Sequence, residues 1–589
     1  MRLTIHRAIY FVLLILLVAA QPVSNFMMSG MEILLAANWL LEWDMRRKFH
    51  VARQNGSLWL LVAFGVLLVV HLVWIIPSSN TAYAWHDLFK KLPLFAIPLV
   101  LLTSRPLSRR QLQVLFFVFV ATVFVATVVG HVRFLSMPGI PYRDIVPFIS
   151  HIRFSLNVCL AISLTLWFLY RRYFRRMRKK TRTEAGGLFS DWLSWLLFVV
   201  LVSFIAILIE IRSFTAFAIL GVLAVVMLAS FWRRIKPPML RWLSLSVVVV
   251  VCAVVVVVSF FMISSYYRPV PLRQQPLALA TVNGNPYAHG SSGLVENGNL
   301  LDNYICETEL RTQWAKVSSV PFDALTSNGY GIFPTLTRYL NGLGTTKDSA
   351  GMTLLQPDDI AAIEQGIANP VYLHGSSIKQ MYYVMLFEYE NYRYRRCVPN
   401  FTMLERFELW RNAWRVFLQH PLLGVGTGDV VDVCHAQLKA DHSPIADTEK
   451  NVHNQYLTFL VTFGIIGCSL IAAAFVYAFR RCHYLRLAAM VAFVTIFLVS
   501  CLTEDTLGTL AGAVFSVLFP CLLSDYVIAG KTKDSDENDS LIRSIETSKH
   551  RNIEASKHRN IETSNHRNNE ASKHRNIEIT KHRNNEASK

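Results

Sequence analysis

Apolar runs recur along this chain at 8–20, 28–43, 57–76, 92–103, 111–129, 154–170, 192–208, 214–231 and 243–262. Several reach about 20 residues, enough for a helix to cross a hydrocarbon layer of about 30 Å. Hydropathy then falls for most of residues 264–452, where Gly, Pro and Asn are scattered among balanced charges. It rises again over 453–479, 487–502 and 507–528. The pattern predicts an all-α polytopic membrane protein with about twelve transmembrane helices and one large loop. Residues 1–263 carry spans one to nine and residues 453–530 carry spans ten to twelve. A single amphipathic helix is expected in the loop, at 403–419, stopped by Pro421.

Charge orients the spans. Only 16% of residues are charged against 53% hydrophobic, yet the formal net charge is +19. The excess lies in short loops: Arg46, Arg47 and Lys48; Arg105, Arg109 and Arg110; residues 171–182; Arg233, Arg234 and Lys236; Arg480 and Arg481. These follow spans two, four, six, eight and ten, which is the positive-inside pattern. Both ends are then cytoplasmic, and the loop 264–452 lies outside the cytoplasm. The same pattern accounts for the charge without nucleic acid. The nine cysteines show no CxxC pair, and Cys306, Cys397 and Cys434 in the loop allow one disulfide and one free thiol. Residues 531–589 differ in kind. An octad beginning Lys549-His550-Arg551-Asn552 recurs to Lys589 with almost nothing apolar to bury, so a solvated cytoplasmic tail is expected.

That topology brings three unusual groups to one face of the membrane. Arg212 lies in the short break between spans seven and eight. His453 opens span ten, followed by Asn454. Glu504 and Asp505 close span eleven. Ionisable residues at the ends of apolar spans are functional candidates by default, and an imidazole there can act as a general base. The bland reading of His453 is an interfacial residue satisfied by headgroups, and that of Arg212 is snorkelling or pairing with Glu210. In the loop helix, a wheel of about 100° per residue gathers Trp410, Ala413, Trp414 and Phe417 on one apolar face. Arg406 falls inside that face, whereas Arg411 and Arg415 fall opposite with Glu405, Glu408 and Asn412. An arginine fork suits phosphate oxygens; the bland alternative is a salt bridge to a loop carboxylate. The later Gly424-Val425-Gly426-Thr427-Gly428 follows a helix, not a strand, so a tight turn back to span ten is expected rather than a nucleotide site.

Arg406, Trp410, His420-Pro421, Gly424-Val425-Gly426 and His453-Asn454-Gln455-Tyr456-Leu457 with Gly464 and Gly467 together resemble the O-antigen ligase/polymerase family. Arg212-Ser213 resembles its membrane arginine. The stretch from Arg338-Tyr339-Leu340 through Lys347-Asp348 to residues 358–369 is similar to the family's Bacteroides-type branch. The likeness covers residues 5–530 in layout, and the octad tail is outside it. It implies a metal-independent, inverting transfer of a glycan from an undecaprenyl-diphosphate donor to an acceptor hydroxyl, with no cofactor. His453, Arg406 and Arg212 would be catalytic, and Asn454, Glu504, Asp505 and Trp410 would bind substrate. The acceptor is expected to be lipid A-core; a growing repeat unit or a protein hydroxyl are the alternatives within the family. A transporter or flippase is the reading from another class. The unusually long polar stretch 268–356 departs from the family pattern.

Overall fold

A computed structural model of the chain describes residues 2–137, 140–179, 191–232, 238–327, 329–395, 402–447, 450–529, 572, 573 and 575. The octad tail therefore lies almost wholly outside the described residues, as does Cys397. Before the loop come α1 (Arg2–Ala20), α2 (Asn25–Leu41), α3 (Met45–Asn55), α4 (Leu58–Val73), α5 (Thr81–Lys91) and α6 (Pro93–Thr103). They are followed by α7 (Arg109–Ser136), α8 (His151–Lys179), α9 (Trp192–Glu210), α10 (Phe214–Phe231) and α11 (Pro238–Tyr267). Local chemistry sets the short charged helix α3. The Asp44 side chain accepts from the Arg47 N–H, and Gly56 ends the helix at φ 76°. It meets α4 at 109°.

The loop builds α12 (Glu307–Val317), α13 (Ile332–Gly342), α14 (Ser349–Met352), α15 (Pro357–Glu364), α16 (Pro370–His374), α17 (Ser377–Arg395), α18 (Thr402–Gln419) and α19 (Val430–Ala440). A two-stranded antiparallel hairpin, β1 (Val295–Glu296) with β2 (Asn299–Leu300), joins them. The chain closes with α20 (Gln455–Cys482), α21 (Ala488–Thr503) and α22 (Leu510–Ala529). Each apolar stretch of the sequence is thus helical, and the chain is an all-α polytopic membrane protein. Among the described residues, eight helices are long and apolar enough to cross a membrane alone, or nine if bent α3–α4 is one span. At 17, 16, 11 and 16 residues, α2, α4, α6 and α21 fall short of that length.

The loop has its own core, which the polarity of its sequence concealed. Leu310, Trp314, Ile332, Leu336, Tyr339 and Ile363 pack between α12, α13 and α15. Beside them Glu296 is fully buried and accepts from Arg338 at 3.0 and 2.8 Å and from Asn369 at 2.9 Å. Lys347 is also fully buried, donating to the Leu300 and Asn303 carbonyls and to Asn341 Oδ1. The residues 338–369 that carry the branch resemblance are therefore the scaffold of this subdomain. Cys306 and Cys434 are buried free thiols.

The larger compact unit takes in residues 1–105 and 110–524; a smaller one comprises 106–109 and residues from 525 onward. Within the smaller, the Leu107 N–H donates to Asp525 at 3.2 Å and the Arg109 guanidinium lies 5.6 Å from the Tyr526 ring.

Candidate active site

The site begins with a break in α20. Gly464 takes φ 59°, ψ −169° inside an otherwise continuous apolar helix. A break at membrane depth must have its freed backbone groups satisfied by protein. Residues 421–426 supply the partners. The Val425 and Gly426 N–H groups donate to the carbonyls of Val461 and Thr462 at 2.8 and 3.0 Å. In return, the Ile465 and Ile466 N–H groups donate to the carbonyls of Pro421 and Leu422 at 2.9 and 3.1 Å. A Cβ on Gly464 would stand 2.2 Å from the Leu422 oxygen, and one on Gly424 2.5 Å from the Thr462 oxygen. The glycine-rich segment is therefore more than a return turn: it is inserted into the helix break. Thr427 anchors it to α4, its N–H donating to the Trp74 carbonyl at 2.9 Å.

This insertion fixes α18 against the start of α20. The loop helix starts and stops where the sequence predicts, but its buried face is turned. Leu409, Asn412, Ala413, Val416 and Phe417 are buried, while Trp414 is exposed. On the wheel the buried face lies about 90° from the predicted one. Two residues read as surface groups go inside because distant partners receive them. Asn412 donates to the Cys434 carbonyl at 2.9 Å, and Glu405 accepts from Lys450 at 2.6 Å. Arg406 then sits at the edge of the face rather than within it. Arg411 is exposed, 3.8 Å from Glu408, and Arg415 pairs with Asp441.

Arg406 is an ion-pair partner, as the bland reading had it, but its carboxylate belongs to a span end and not to the loop. Nη2 donates to Glu504, immediately after α21. The other Glu504 oxygen lies 3.8 Å from His453 Nδ1 and 4.0 Å from Arg153 Nη2. Burial pushes the Glu504 carboxyl up, but His453, Arg406 and Arg153 outweigh it and hold it below the usual carboxylate range. His453 takes φ 53°, a left-handed backbone held by the Asp505 carboxylate, which accepts from its N–H at 3.0 Å. Asp505 also accepts from Thr458 at 2.6 Å, and its carbonyl accepts from Arg153 at 2.9 Å. Asn454 caps α20, its Oδ1 accepting from the Tyr456 and Leu457 N–H groups at 3.1 Å each. Trp410 Nε1 is 3.4 Å from the His453 carbonyl.

Arg212 lies elsewhere on the same rim. Its Nη2 donates to Gln380 on α17, and its guanidinium faces the Tyr142 ring at 5.5 Å. Tyr142 in turn meets the His151 ring edge-on at 5.5 Å. Nothing joins Arg212 to Arg406 directly among the described contacts. Nor does it pair with Glu210, whose two carboxylate oxygens both lie on His131 Nδ1. Burial disfavours the Arg212 charge and pushes its pKa down, a cost an anionic ligand would offset.

Sequence reasoning missed Arg153. It stands three residues into α8, is buried, and has Nη1 without a partner. The signal was present: an arginine in the first turn of an apolar span is as costly as one in a break. The lining around Tyr142 and Gln380 had no such signal.

Residues 398–472 match the family described as O-antigen ligase. The match takes in α18, the inserted segment and about the first two thirds of α20. No curated protein matches the chain.

Proposed function

We propose, from the premise that α18 to α20 form an O-antigen ligase domain, that this chain transfers a glycan from undecaprenyl diphosphate to an acceptor hydroxyl. The observation that carries the reading is the convergence of a loop helix and two span ends on one carboxylate: Arg406, His453 and Arg153 around Glu504. Glu504 occupies the Nδ1 side of His453 and leaves Nε2 to meet the acceptor. His453 takes the hydroxyl proton, the oxygen attacks the anomeric carbon, and that carbon's bond to the diphosphate oxygen breaks. The carrier diphosphate leaves with the bonding pair, and the anomeric configuration inverts. Negative charge builds on the leaving group, where Arg212 and Arg406 would stabilise it. The arginines supply that charge from the chain itself, so the transfer is metal-independent.

The acceptor proposed first is lipid A-core, at the periplasmic face of the inner membrane. A polysaccharide polymerase and a protein O-oligosaccharyltransferase use the same chemistry. One observation favours a transporter, because broken helices line many transport sites. Against it, the freed backbone groups at Gly464 are occupied by residues 421–426, leaving them unavailable to a transported solute.

The test is glycan transfer by purified protein from a defined undecaprenyl-diphosphate donor. Transport without transfer would overturn the proposal. Deleting the gene identifies the acceptor: loss of all capped lipopolysaccharide indicates a ligase, and a single capped repeat indicates a polymerase. Intact lipopolysaccharide with lost glycoproteins indicates protein transfer.

A further inference from the structure

Glu210 and Arg212 lie two residues apart at the end of α9, so their Cα atoms are within about 7 Å. A carboxylate and an arginine fork that close readily form a bidentate pair. They do not do so here. Both Glu210 oxygens lie on His131 Nδ1, at 2.9 and 2.8 Å, and His131 Nε2 meets Ser203 Oγ at 3.0 Å. Ser203 and Glu210 are seven residues apart on α9, two turns along one face. The imidazole, carried by α7, is thus clamped along that face and holds the carboxylate on it.

Arg212 leaves in another direction. Its backbone is left-handed at φ 50°, its N–H donates to the Ile209 carbonyl, and the next N–H donates to Leu208. Beyond this turn the side chain meets neutral groups, the Gln380 amide and the Tyr142 ring, with the Tyr372 phenol also acting on its charge. Its Nε is buried without a partner. A guanidinium kept from its nearest carboxylate is a stronger anion site than one already neutralised.

We propose that His131 is a positioning residue for donor binding: by holding Glu210 against α9, it keeps that carboxylate off Arg212 and leaves the guanidinium for the diphosphate. This rests on the reading of Arg212 as a donor ligand.

The test measures binding of undecaprenyl diphosphate, and donor KM against kcat, for four purified variants. R212A weakens binding. H131A, which frees Glu210 to pair with Arg212, weakens binding and raises donor KM by about tenfold, with a smaller change in kcat. H131A/E210Q restores binding to within about twofold of native, because no carboxylate remains to compete. E210Q alone binds at least as tightly as native. A purely structural role for His131 gives no such rescue. If R212A weakens binding but H131A/E210Q is as weak as H131A, or E210Q alone loses affinity, the inference is wrong while the donor reading stands. If R212A binds normally, the donor reading fails first and the inference falls with it.

Discussion

Arg406, on a helix of the loop, donates to Glu504, the residue that follows the apolar helix α21. Ninety-eight residues separate them, and their pairing ties the loop to the rim of the spans. Glu504 is 5% exposed, and removing Arg406 takes away one of the three basic groups around its buried charge, at a cost below the ~3–5 kcal/mol of leaving a buried charge with no partner. Arg406→Ala should abolish transfer at equal membrane expression. Arg411→Ala, on an exposed side chain, should stay within about threefold of native. Equal losses from the two would mean that general basicity of the helix, not the Glu504 contact, matters.

His453→Ala should lower turnover by about a hundredfold to ten-thousandfold, the range for a lost general base. Donor affinity on the same purified variant should survive. Lost affinity with turnover intact at saturating donor would make His453 a phosphate ligand instead. Glu504→Gln keeps the shape and loses the charge; it should lower turnover less than His453→Ala does.

The inserted segment predicts a stability defect remote from any charge. Gly464→Ala should cost ~3 kcal/mol or more, since it adds a Cβ against the Leu422 carbonyl at a left-handed φ. The readout is folded, monodisperse protein after extraction from membranes. Gly30→Ala is the control, because a Cβ there meets nothing within 4 Å; normal yield from both variants would refute the account of the break.

Glu309 predicts a pH dependence of the loop subdomain. Burial pushes its carboxyl up, but hydrogen bonds from Asn285, Ser349 and Thr281 outweigh this and hold it at about 2. The unfolded carboxyl titrates near ~4.3, so between these values the unfolded chain binds more protons. The stabilisation is complete above the unfolded value and is lost as pH falls through about 2. Protease resistance of the loop should fall over that window in the native protein. Glu309→Gln should be weaker at neutral pH and flatter below it.

The topology is checked at Val282, which is 96% exposed in the loop; Asn299, central in the sequence, is buried and unsuitable. Val282→Cys should react with a membrane-impermeant maleimide from the periplasm. Labelling only after the inner membrane is opened would reverse the topology and take the proposed mechanism with it.

Spans and their charge bias depend on neighbours a few residues away, so the sequence by itself determined where each apolar helix lies. It also singled out Arg212, His453, Glu504 and Asp505, because ionisable groups at span ends are conspicuous against an apolar background, and Arg406, because the wheel set it apart from the other loop-helix arginines. It fixed the ends of α18, since those depend on Pro421 and on local pattern. Only the tertiary structure decided which face of α18 is buried. Asn412 and Glu405 go inside because the Cys434 carbonyl and Lys450 meet them there, and a helical wheel contains neither. The same holds for the break at Gly464, filled by residues some forty positions earlier, and for Glu210, whose partner is His131 on another helix and not Arg212 nearby. Local pattern reports the cost of placing a polar group in an apolar span. Which group meets that cost is a matter of packing between distant segments, and it had to be read from the fold.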